Sequence, residues 1–65
     1  MNKTGYIKDY NGRYGIIESD DLVIDFDKKD ILVNQELKVG DKVEFKVVEK
    51  KGPLLVACNI NKLSL

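Results

Sequence analysis

Lys8, Tyr10, Tyr14 and Ile16 are the residues whose types and spacing suit a chemistry, and that chemistry is stacking. In an extended chain residues two apart share a face. Tyr14, Ile16 and Glu18 therefore share one face, and Gly15, Ile17 and Ser19 share the other. The second set is small and apolar enough to be buried, which leaves Tyr14 and Ile16 pointing outward beside Lys8 and Tyr10. Exposed aromatic and apolar groups next to a cation are what the bases of a single-stranded nucleic acid stack upon. Tyr and Ile are also good strand formers, which is the plainer reading of the same spacing.

Other chemistries find little support. The chain has no histidine, hence no imidazole base or ligand. Cys58 lies in the apolar run Leu54-Leu55-Val56-Ala57-Cys58, with no neighbour to activate it, and reads as a buried, inert small residue. No glycine-rich phosphate loop, nucleophile elbow or metal-ligand spacing occurs. Asp25 and Asp27 are about 7 Å apart on one strand face, near Asp20 and Asp21. They invite a hard cation but lack a full ligand set, so a solvated acidic face is expected and no metal or cofactor. The reading is of a non-enzyme.

Strands must position the patch. Asn11-Gly12 is a strong hairpin signal and predicts a two-residue type I′ turn joining Tyr6–Tyr10 to Tyr14–Ser19. Ser19-Asp20-Asp21 is the next turn. Leu22, Ile24 and Phe26 then alternate with Val23, Asp25 and Asp27, and a slip of one residue would bury both aspartates. Lys28-Lys29-Asp30-Ile31 predicts a single helical or 3₁₀ turn, and Gly40-Asp41 another turn. Val43, Phe45 and Val47 alternate with Lys42, Glu44 and Lys46 in the cleanest strand. Lys50-Lys51-Gly52-Pro53 turns the chain into a last strand from Leu54 to Leu63, where a bulge would resolve the continuous apolar run. The expected core is Ile7, Ile17, Leu22, Ile24, Phe26, Val43, Phe45 and Val47. Short strands at this spacing predict a small all-β barrel or sandwich.

Composition bounds the rest. Sixty-five residues make one domain, residues 1–65, near the lower size limit for folding without staples. One cysteine permits no internal disulfide, and a lone thiol suits a reducing cytoplasm. Met1 reads as the native start, with no leader after it and no apolar run approaching the ~20 residues that span a bilayer. Eleven basic and eleven acidic residues cancel, so total charge does not advertise a polyanion partner. The charges are uneven, however. Residues 18–30 hold six acids against two lysines, and the remainder is basic by four.

With these elements in place, the chain resembles the cold-shock domain, a five-stranded antiparallel OB-fold barrel. Thr4-Gly5-Tyr6-Ile7-Lys8-Asp9-Tyr10-Asn11 is similar to that family's T-G-x-V-K-W-F-N. Arg13-Tyr14-Gly15-Ile16-Ile17 is similar to its first ribonucleoprotein motif, K-G-F-G-F-I. Phe26-Asp27-Lys28-Lys29-Asp30-Ile31 lines up with the second, F-H-x-S-x-I. Val39-Gly40-Asp41-Lys42-Val43-Glu44-Phe45 looks like E-G-Q-x-V-x-F. Lys51-Gly52-Pro53, Ala57, Asn59-Ile60 and Leu63 resemble K-G-P-x-A-x-N-V-x-x-L. The resemblance covers residues 3–63.

It implies binding of single-stranded RNA or DNA by a monomer, through Lys8, Tyr10, Arg13, Tyr14, Ile16, Lys28 and Lys51. Departures from the pattern imply that binding is weak. Asp9 stands for the family's tryptophan, Asp25 for an aromatic and Asp27 for its histidine, and the first hairpin loop is two residues shorter. Each lost stacking platform costs about 1–3 kcal/mol, and carboxylates repel a phosphodiester chain. The alternative is a degenerate barrel whose acidic face docks a protein.

Overall fold

The computed structural model describes residues 2–32, 35–49 and 55–63. Alternation and turn residues produce the expected strands: β1 (Lys3–Tyr10), β2 (Tyr14–Ser19), β3 (Leu22–Asp27), β4 (Lys42–Glu49) and β5 (Leu55–Lys62). A 3₁₀ turn, Lys28–Asp30, follows β3. The strands close into a barrel in the order β1-β2-β3-β5-β4, with β4 returning to β1 through Lys3–Phe45 to Tyr6–Lys42 pairing. All neighbours are antiparallel except β3 and β5, which meet in parallel at Asp25 and Val56. Among the described residues no helix is long and apolar enough to cross a membrane.

The inward face of each strand supplies the core: Ile7, Ile17, Ile24, Phe26, Val43 and Phe45 are buried as expected. Burying each such side chain stabilises the fold by about 1.5–3 kcal/mol. Two expected core residues differ. Leu22 opens β3 beside the turn and is 44% exposed, and Val47 is half-buried against the cluster. Leu37, Ala57 and Ile60 complete the core instead. Ala57 and Ile60 are three apart yet both point inward, because β5 carries a bulge. Glu44 pairs with Asn61 and Lys46 with Cys58, which leaves two residues of β5 against one of β4. Asn59 takes up the difference with φ of 51°. The bulge therefore falls just after the apolar run rather than within it. Cys58 is half-buried, not buried as expected. The expected turn at Lys50-Lys51-Gly52-Pro53, and Leu54 with it, lie outside the described residues.

The type I′ turn expected at the first hairpin is found at the second. At the first, Asn11 N–H donates to the Tyr14 carbonyl at 3.1 Å, so Gly12 and Arg13 form the loop. Asn11 Oδ1 accepts from the backbone N–H of Arg13 at 2.9 Å and of Tyr14 at 2.8 Å. Gly12 alone in this loop has positive φ, 98°, so the turn is not type I′. Asparagine serves here through its side chain rather than through left-handed backbone. At the second hairpin Ser19 pairs with Leu22, and Asp20 and Asp21 between them have φ of 48° and 65°. Positive φ at both central residues is the type I′ signature.

A second bulge sets the phase of β1. Ile7 pairs with Ile17, but Asp9, not Lys8, pairs with Ile16. Lys8 is the extra residue, so Lys8 and Asp9 are both exposed although adjacent. Asp9 Oδ1 accepts from Tyr10 N–H at 2.9 Å, which satisfies an amide at the irregularity. Beyond the bulge Tyr10 faces inward opposite Gly15 and stacks on Phe26, ring centroids 5.4 Å apart.

Candidate nucleic-acid interface

The outer face of β1, β2 and β3 is built in rows, because residues directly paired across strands project to the same side. The central row is Asp9–Ile16–Asp25. Toward the first hairpin loop, Tyr14 pairs with Asp27. Away from it, Glu18 lies between Tyr6 and Val23. Successive rows along β2 are about 7 Å apart. A shallow depression over Ile16 is bounded by Asp9, Asn11, Tyr14 and Asp25.

Of the residues expected in the patch, the face keeps some and not others. Tyr14 is 53% exposed, and the Arg13 guanidinium lies over its ring, 5.2 Å from the centroid. Ile16 is half-buried and flanked on both sides by carboxylates. Lys8 is exposed, but its Nζ is 3.5 Å from Glu18 Oε2. Such a surface ion pair is worth no more than about 1 kcal/mol, so it does not remove Lys8 from use. Tyr10 is not beside Lys8 on the outer face; the bulge turns it inward onto Phe26. Lys51 lies outside the described residues.

Lys28 reaches the patch through the backbone. Its N–H donates to the Arg13 carbonyl at 2.7 Å, tying the 3₁₀ turn to the hairpin loop. Arg13, Lys28 and Lys29 thereby border one depression with Gly12 and Asp27. No described residue forms an ion pair with any of the three cations. Lys29 was not among the expected site residues; its place beside Lys28 at the end of β3 was the available signal.

The three carboxylates of the face have different tasks. Asp27 is the N-cap of the 3₁₀ turn: its Oδ1 accepts from Lys29 N–H, and Asp30 Oδ2 accepts from Asp27 N–H, both at 3.1 Å. Asp9 supports the bulge. The Asp25 side chain makes no hydrogen bond or ion pair with a described residue. Among the described residues no three Cys, Asp or Glu side chains are grouped to hold a metal ion.

No family model matches this chain, and no curated protein does. Among solved structures, the cold-shock domain structure described as drosophila Unr CSD456 is similar, with a TM-score of 0.85 at 22% sequence identity. The match covers 98% of this chain and 27% of that one, so this chain spans about a quarter of its length. The likeness establishes the fold: a cold-shock-type OB-fold barrel.

Proposed function

We propose that this domain binds single-stranded RNA or DNA weakly, as a monomer and without catalysis, in the cytoplasm. The observation that carries the reading is the pairing of an exposed stacking surface with cations that form no ion pair with a described residue. Tyr14 and Ile16 stand on the outer face of β2, and the Lys28-to-Arg13 backbone bond holds Arg13, Lys28 and Lys29 at their edge. A base stacked on Tyr14 supplies about 1–3 kcal/mol. The cations supply counterion release from the adjoining phosphates. The Asp9–Ile16–Asp25 row works against a longer contact, which supports weak rather than tight binding. Lys8 contributes from the bulge, and Tyr10 contributes by holding the hairpin on Phe26 rather than by stacking on a base.

The test is fluorescence titration of labelled oligo(dT) and oligo(U) at low salt. Saturable binding at Kd on the order of 10⁻⁶ to 10⁻⁴ M is expected. Absence of saturation, with the fold intact by circular dichroism, would overturn the reading. The acidic row also favours a second reading, docking of a basic protein segment, and failure with both oligonucleotides would turn attention there.

A further inference from the structure

We infer that the face holds only one to two nucleotides, and that the strand leaves across the cationic edge rather than running along the sheet. This rests on the proposed nucleic-acid binding and specifies its ligand as a short nucleotide unit, whatever the length of the strand that carries it. Charge is ordered along β2. At the loop end stand Tyr14, Arg13, Lys28 and Lys29. Both carboxylates in that region, Asp27 and Asp30, are engaged by backbone N–H groups of the 3₁₀ turn. One row on, Ile16 offers an apolar surface but lies between Asp9 and Asp25. One row further, Glu18 occupies the centre and holds Lys8. Asp20 and Asp21 close that end.

The row spacing of about 7 Å is comparable to one extended nucleotide. A base on Tyr14 places its phosphate beside Arg13 and Lys28. A second base over Ile16 is still within reach of those cations. A third step along β2 would set a phosphate among Asp9, Asp25 and Glu18, three carboxylates against the single cation Lys8, which Glu18 already engages. A strand that turns aside at the Gly12 loop avoids all three carboxylates.

The experiment measures affinity and salt dependence for oligothymidylates from two to eight nucleotides long, each corrected for its number of registers. Affinity should change by less than about two-fold beyond four nucleotides, and the slope of log K against log salt should lie near −0.7 to −1.4, the value for one to two phosphates on a single strand. A ten-fold rise between four and eight nucleotides, or a slope steeper than about −2.8, would overturn the short footprint while leaving nucleic-acid binding intact. No binding at any length would defeat the binding reading itself, and the footprint with it. A second variant separates charge from shape. In Asp9→Asn with Asp25→Asn, asparagine at position 9 keeps the Oδ1 that accepts from Tyr10 N–H. The eight-nucleotide probe should gain at least about three-fold more affinity than the two-nucleotide probe. Equal gains would show that these carboxylates do not set the footprint.

Discussion

Asp25 lies directly opposite Ile16 across the β2–β3 pair, and Asp9 lies opposite it across β1–β2. The apolar centre of the outer face is thus held between two carboxylates. Among Asp9, Asp25 and Asp27, only the Asp25 carboxylate has no hydrogen-bond or ion-pair partner among the described residues, so it is the position where the face can be altered without disturbing the frame.

Replacing Asp25 with Phe should therefore strengthen binding without unfolding the barrel. The change removes a repelling charge and adds a stacking platform worth about 1–3 kcal/mol, so affinity for oligo(dT) should rise by about ten-fold. Titration of both proteins at matched low ionic strength measures it. An unchanged Kd in a variant with unaltered denaturation midpoint would mean that bases do not reach this row.

Asp27 should behave oppositely. Asp27→Ala removes the side chain that accepts from Lys29 N–H and should cost about 1 kcal/mol of stability. Asp27→Asn keeps an Oδ1 acceptor and should retain most of it. Chemical denaturation of the two variants separates cap from charge; equal loss in both would show that the carboxylate's charge is what matters.

Gly15 has no room for a side chain. A Cβ there would collide with the Phe26 ring and come within 2.8 Å of the Asp9 carbonyl oxygen. Gly15→Val should destabilise by about 1–3 kcal/mol through overpacking, and Gly15→Ala should already lower the midpoint. The same change would push apart Tyr10 and Phe26, so a shift in near-ultraviolet circular dichroism is expected with it.

The Asp20–Asp21 turn is strained for its residue types. Both have positive φ, which glycine and asparagine adopt at lower cost than aspartate. Asp20→Asn with Asp21→Gly should raise stability by about 0.5–1 kcal/mol. Thermal melts test it, and a lowered Tm would mean that the carboxylates stabilise the turn more than the backbone opposes it.

The sequence by itself determined the five strands, which faces of β2, β3 and β4 are inward, and the mixed apolar and acidic character of the outer face. These follow from period-2 alternation and from turn residues, both of which are local. Ile24, Phe26, Val43 and Phe45 were legible as core for that reason, and so was the exposure of Asp25. The tertiary structure decided what alternation cannot carry across a bulge. One extra residue at Lys8 reverses the phase of β1, turns Tyr10 onto Phe26 and sets Asp9 beside Ile16. One extra residue at Asn59 brings Ala57 and Ile60 to the same side. A strand's own sequence does not say where it must bend, because bending is required by closure of the barrel with its neighbours. The chain's return after β3 also drew Lys28 beside Arg13. Register between strands, a property of the whole barrel, thereby decided which charges stand next to which stacking surface.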